Sequence, residues 1–192
     1  MKYPKVAILK EKKIFTPDLA WFRFQLQEKP KKLPWFLPGQ FLVLGLPGAE
    51  EAPFGFVSSP YQKEVEILVR KKGKLTSALF EKEKGEIFTI TAPLGKAFPL
   101  AKMRRKNLII IAGGVGAAPM FALLEYLLKN KNDFGKIFFF WGARTPEEFV
   151  LTEKIKKFEK IAKIVLVVEN PLSGWKGPVG YCQDYLAEAE ID

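Results

Sequence analysis

Two periodicities divide this chain. From residue 5 to about 100, short stretches alternate apolar and polar positions and are cut by turn residues every ten positions or so, which predicts antiparallel strands. Val6 to Lys12 and Leu19 to Gln27 come first, separated by Thr16-Pro17-Asp18. The prolines of 30–38 interrupt the pattern; Gly39 to Leu46, Phe54 to Ser58, Glu64 to Arg70 and Glu86 to Thr91 resume it, with Leu75 to Phe80 as a short helix. After Arg105 the runs change character. Apolar strands Asn107 to Ala112, Lys136 to Trp141 and Lys163 to Val168 alternate with helix-length segments Ala117 to Lys129 and Thr152 to Ile161. Strands alternating with helices imply a parallel sheet with helices packed on it. The expected architecture is therefore two domains, an antiparallel β-barrel or sandwich over 1–101 and an α/β parallel-sheet domain over 102–192.

The junction between the first parallel strand and its helix carries Gly113-Gly114-Val115-Gly116-Ala117-Ala118-Pro119. Glycines let a backbone turn tightly and bring its N–H groups against an anion, and the first helical turn adds unpaired donors and the positive end of the dipole. Pro119 suits that first turn, where its missing N–H costs nothing. The spacing is Gly-x-Gly-x-x-Pro, so the third glycine of the common dinucleotide fingerprint is absent, while strand, turn and helix fall in the required order. Glycine here has two readings, a phosphate seat or mere close packing of strand on helix. A ligand of such a sheet lies beyond the carboxyl ends of the strands, where Gly113 to Gly116, Gly142 to Thr145 and Glu169 to Asn170 are expected to gather.

Composition narrows the chemistry. With one cysteine, Cys182, and no histidine, the chain by itself can form neither an intrachain disulfide nor a zinc or iron–sulfur site, and it lacks a histidine base. Reactivity must come from an organic cofactor or be absent. The net charge is +10, but lysines are scattered and often alternate with glutamate, as in Glu81-Lys82-Glu83-Lys84, so the distribution argues against nucleic acid. Lys102, Arg104, Arg105 and Lys106 form the one dense run, at the expected domain boundary. No window resembles a membrane span or a signal peptide, and a cytoplasmic protein without membrane contact is expected.

In the first half, Gly73-Lys74-Leu75-Thr76 leads into the short helix, and backbone donors with the Thr76 hydroxyl suit a second anionic group; the alternative is an ordinary cap. Phe54-Gly55-Phe56-Val57-Ser58-Ser59 sets aromatics beside hydroxyls, which suits a flat ring with a polar edge; taken alone, the segment reads first as a core strand ending in a turn.

Taken in order, Pro38-Gly39-Gln40-Phe41, Ala52 to Pro60, Gly73 to Thr76, Ala92-Pro93-Leu94-Gly95, Gly113 to Pro119, Gly142-Ala143-Arg144-Thr145-Pro146 and Trp175-Lys176-Gly177-Pro178-Val179-Gly180 resemble the ferredoxin-NADP reductase superfamily. The likeness is greatest to flavin-binding electron-transfer subunits of the hydrogenase gamma, anaerobic sulfite reductase B and dihydroorotate dehydrogenase types. The resemblance implies an N-terminal barrel holding FAD, a second domain receiving NAD or NADP, and electrons passed to an iron–sulfur protein or a larger redox complex. It places Phe54, Gly55, Phe56, Val57, Ser58 and Ser59 along the isoalloxazine and Gly73, Lys74, Leu75 and Thr76 at the FAD pyrophosphate. Gly113, Gly114, Gly116 and Pro119, with Gly142, Arg144 and Thr145, then meet the nicotinamide cofactor.

Two departures accompany the resemblance. The family's flavin signature reads Arg-x-Tyr-Ser, and Ala52, Phe54 and Gly55 stand at the matching positions, so the arginine that pairs with the pyrophosphate is replaced. The sequence stops at Asp192, about where the family adds a strand with Cys-Gly-Pro and often a cysteine-rich tail; Cys182 reads as a buried or lone thiol. A noncatalytic scaffold or sensor of the same fold is the alternative. Arg144 suits a 2′-phosphate or a pyrophosphate, Glu147 and Glu148 suit ribose hydroxyls, and the choice between NAD and NADP stays open at this stage.

Overall fold

The first two strands form a long hairpin, β1 (Lys5–Thr16) and β2 (Leu19–Leu26), whose turn is pinned by the Thr16 hydroxyl donating to Asp18 Oδ1 at 2.7 Å. The computed structural model describes residues 3–47 and 50–188; the first two residues, 48–49 and 189–192 lie outside them. β1 runs on to Thr16, past the expected Lys12, because Lys12, Lys13 and Ile14 still pair with Phe22, Trp21 and Ala20 while one face meets solvent. With β3 (Phe41–Gly45), β4 (Glu51–Gly55), β5 (Val65–Arg70) and β6 (Ile87–Leu94) the hairpin builds a six-stranded antiparallel sheet in the order β4-β3-β6-β1-β2-β5. The Val57 N–H donates to the Glu66 carbonyl at 2.8 Å, which brings the chain after β4 against β5 and curls the sheet toward closure. Helix α1 (Lys74–Glu81) sends Leu79 into the same core.

The expected strand from Phe54 to Ser58 is displaced, since pairing with β3 occupies Glu51–Gly55 instead. Pro53 sits inside it, and this is tolerated because β4 is an edge strand whose outward side needs no ladder donor. Phe56 then turns inward and stacks on Phe36 at 3.9 Å between ring centroids.

The short helix α2 (Leu100–Met103) leads to the second sheet. There β7 (Leu108–Gly113), β8 (Ile137–Ala143) and β9 (Lys163–Val168) pair in parallel, in that order and in register, so that Gly113 stands beside Gly142 and Ala143 beside Val168. A 3-10 turn, Gly114–Ala117, precedes α3 (Ala118–Lys129), and α4 (Thr152–Phe158) stops short of the expected Ile161.

The two sheets share their packing. Leu19, Trp21, Val57 and Leu68 from the barrel join the core around β7 and β8, and Ala122 of α3 joins the barrel core. At the same joint, Lys154 of α4 pairs with the nearly buried Glu66 of β5 at 3.1 Å, and Asn130 donates to the Tyr61 hydroxyl at 3.1 Å. Each large side chain buried there contributes about 1.5–3 kcal/mol relative to exposure, so the joint is a packed interface.

Candidate functional site

The carboxyl ends of the parallel strands open onto a cleft, and the glycine turn forms its floor. Gly113 ends β7 in an extended conformation, with φ −117° and ψ 133°, and Gly114 adopts φ +50°, the left-handed region that favours glycine. The indole N–H of the fully buried Trp141 donates to the Gly114 carbonyl at 3.0 Å and fixes the turn from below. A Cβ placed on Gly113 or Gly116 would meet nothing within 4 Å. Close packing among the described residues therefore does not account for these two glycines; both are exposed, and Gly113 lines the cleft. Gly55 behaves in the opposite way, since a Cβ there would come within 2.8 Å of Pro119 Cδ. Pro119 is thus a packing residue that seats the end of β4 on the first turn of α3.

The cleft has a volume of about 490 Å³ and is lined by Arg70, Gly113, Gly114, Gly142, Glu148 and Cys182, among others. Arg144 lies on its wall, which it shares with a second depression of about 330 Å³ that holds Thr145. The structure thus brings together the glycine turn, Gly142 and Arg144, and sets Thr145 on the far side of Arg144. Cys182 is free and buried, with Sγ 4.0 Å from the Ala112 carbonyl, and burial pushes its thiol pKa up.

The charges between the sheets close into a ring. Arg70 donates to Asp18 Oδ2 and Glu148 Oε2, both at 2.7 Å; Arg144 donates through Nε to Glu148 Oε1 at 2.9 Å and reaches Asp18 Oδ2 at 3.5 Å. Asp18 and Arg70 belong to the barrel, Arg144 and Glu148 to the α/β part. Glu148 is only 6% exposed, and the 3-10 turn Pro146–Glu148, closed by its N–H to the Thr145 carbonyl, folds it back beneath Arg144. The hydrogen bond from Thr16, followed by that from Arg70, holds the Asp18 carboxyl below its usual pKa despite partial desolvation. Desolvation works against the Arg70 cation, but its bonds to Asp18 and Glu148 outweigh it and raise the pKa further. Arg70 and Asp18 carry no local sequence signal, for their partners lie far away along the chain.

On the barrel side the expected flavin-lining residues divide. Phe54 and Gly55 are half-buried on the edge strand. Phe56, Val57 and Ser58 are fully buried, Phe56 against Phe36 and Trp35, and Ser58 Oγ has no hydrogen-bond partner among the described residues. Ser59 Oγ accepts from the Tyr61 N–H at 3.3 Å. At the entry to α1 the Thr76 hydroxyl accepts from the N–H groups of Lys72 and Gly73, each at 2.9 Å, and donates to the Gly73 carbonyl at 3.0 Å. In this structure the hydroxyl makes the bonds of a helix cap. Gly73 has open space where a Cβ would stand, and Lys74 is exposed beside it, while Leu75 is buried. The first-turn N–H groups and this open glycine fit a diphosphate without any side-chain hydroxyl.

Among the described residues no helix is long and apolar enough to cross a membrane. Residues 6–98 match the oxidoreductase FAD-binding domain family and residues 110–192 the oxidoreductase NAD-binding domain family. The chain is 30% identical to the sulfhydrogenase 1 subunit gamma of Pyrococcus furiosus over 92% of its own length and 62% of that protein. It is 32% identical to a probable dihydroorotate dehydrogenase B (NAD(+)) electron transfer subunit of the same organism, over 80% of this chain and 55% of the relative. The chain thus spans a little over half the length of these curated relatives. A ferredoxin NADP+ reductase from Neisseria gonorrhoeae with bound FAD and NADP shares the fold, with a TM-score of 0.82 over 96% of this chain and 76% of that one at 20% identity.

Proposed function

From its membership of the FAD- and NAD-binding oxidoreductases, we propose that this chain is the electron-transfer flavoprotein of a redox complex, taking hydride from NAD(P)H and passing electrons singly to an iron–sulfur partner. The observation that supports the nucleotide half is the open backbone at Gly113, on the cleft where the parallel strands end, with Gly116 exposed in the same turn. Bound FAD supplies the redox chemistry, since the chain offers no histidine and only a buried thiol. The residues position and shield. Gly73 and the first turn of α1 receive the FAD diphosphate, Phe54 and Gly55 border the ring, and Gly113, Gly114 and Gly116 receive the nucleotide phosphates. Pro119 holds these two regions against each other through Gly55. We place the division between the flavin and nucleotide parts at Ala101 and Lys102, within α2, and the chain in the cytoplasm.

The net charge of +10 favours an acidic electron acceptor. The names of the two Pyrococcus relatives, both subunits, support a place in a larger complex. Ala52, where the family pattern has arginine, favours a second reading, a scaffold that keeps the fold without turnover. Loss of one such charge-assisted pair costs about 1.5–3 kcal/mol, a weakening of FAD binding rather than its abolition. Titrating FAD into the purified chain separates the readings. Quenching of flavin fluorescence at one FAD per chain is expected, and free-flavin fluorescence throughout would leave the scaffold standing.

A further inference from the structure

We infer that the ring of Asp18, Arg70, Arg144 and Glu148 makes the cleft select the dinucleotide without a 2′-phosphate, so that Glu148 is a specificity-determining residue; this rests on the nucleotide reading above. Arg144 is the cation best placed after β8 to receive a 2′-phosphate, and it is already bound. Its Nε is held by Glu148 at 2.9 Å and its Nη2 faces Asp18 at 3.5 Å. Arg70, the other guanidinium on the cleft, gives both of its ion pairs to the same two carboxylates. The ring sums to zero charge. The depression on its outer side adds Glu147 to Asp18 and Glu148, with Arg144 the one cationic side chain among its lining residues. A 2′-phosphate brings about two further negative charges near neutral pH, which would meet a ring whose cations are already neutralised and Glu147 beside it. A ribose 2′-hydroxyl instead donates a hydrogen bond, and carboxylate oxygens accept it.

The local sequence explains how Glu148 reaches this position. In the simplest dinucleotide sites the acidic residue stands at the end of the second strand. Here Arg144 follows that strand end at Ala143, and the 3-10 turn at Pro146 carries the glutamate back under it. The pair is i,i+4 in sequence, yet it is locked by Arg70, a residue of the other sheet.

The test is calorimetric binding of NAD+ and NADP+ to the FAD-loaded full chain, for the wild type, Glu148→Gln and Asp18→Asn, with melting temperatures recorded alongside. NAD+ is expected to bind at least about tenfold more tightly than NADP+, the scale of one charge pair, and each variant to narrow that ratio by tightening NADP+. Asp18 is half-exposed, so its variant keeps the test open if Glu148→Gln does not fold. Equal or tighter binding of NADP+ by the wild type overturns the inference. So does a preference for NAD+ that both substitutions leave unchanged, because the ring would then not be its source. Binding of neither nucleotide to a chain that does bind FAD would overturn the nucleotide reading itself and this inference with it.

Discussion

Gly113→Ala separates a glycine kept for a ligand from a glycine kept for folding, because the two roles give effects of opposite sign. The backbone at Gly113 is extended, with φ −117°, so alanine adopts it without strain, and the added Cβ meets nothing within 4 Å. Replacing glycine at such a position stabilises by about 0.4–1 kcal/mol, through the lower entropy of the unfolded chain. For a chain of this size that corresponds to a melting temperature higher by about 1–4 °C. On the proposed nucleotide reading, the same methyl group would take up space at the cleft that the phosphates need. Loss of one charge-assisted hydrogen bond, about 1.5–3 kcal/mol, weakens nucleotide binding roughly 10- to 150-fold. Calorimetric melting and nucleotide titration of the same sample read both effects. Gly55→Ala supplies the contrast, since its Cβ would press on Pro119 at 2.8 Å; overpacking of that kind costs about 1–3 kcal/mol and lowers the melting temperature. A Gly113→Ala chain that melts lower and binds nucleotide unchanged would refute the reasoning.

Other consequences are equally measurable. Phe56→Ala removes a fully buried ring stacked on Phe36, and a loss of about 3–5 kcal/mol should appear as a large fall in melting temperature; a fall under about 2 °C would mean that Phe56 is not a core residue. Asp18 has a lowered carboxyl pKa in the fold, so its stabilisation is present above the unfolded value of about 3.9 and is lost as pH falls through the folded one. Asp18→Asn should therefore flatten the melting-temperature profile below about pH 4, modestly, because the side chain is 42% exposed; an unaltered acid limb would count against the pairing. Cys182, buried and with its thiol pKa raised, should react slowly with iodoacetamide at neutral pH and more slowly still with nucleotide present. Fast labelling that NAD(P)H does not affect would remove the thiol from the cleft.

The glycine turn was legible because its residues are contiguous and flanked by a strand and a helix of opposite periodicity. The same contiguity made β8 and β9 readable, for their apolar runs are uninterrupted. β4 was misplaced because Pro53 reads as a breaker, and only an unpaired outer edge, a property of the whole sheet, lets it stay in a strand. Thr76 kept two readings in the sequence, cap or ligand, because the cap bonds it makes to the Lys72 and Gly73 N–H groups are visible only in the fold. The ring around Glu148 was the least legible part. Arg144 and Glu148 are visible as a helix-like pair, but Arg70 ends a barrel strand and Asp18 occupies a hairpin turn, and no local pattern says that these four charges meet.

The most direct measurement is an absorption spectrum of the FAD-loaded chain titrated with NADH and, separately, NADPH in the absence of oxygen. Bleaching of the flavin bands by NADH at one equivalent per chain is the predicted result, with NADPH acting only at higher concentration. Flavin bound at full stoichiometry whose bands persist with both nucleotides would contradict the account, and would make the open glycines of the second sheet a fold without a reaction.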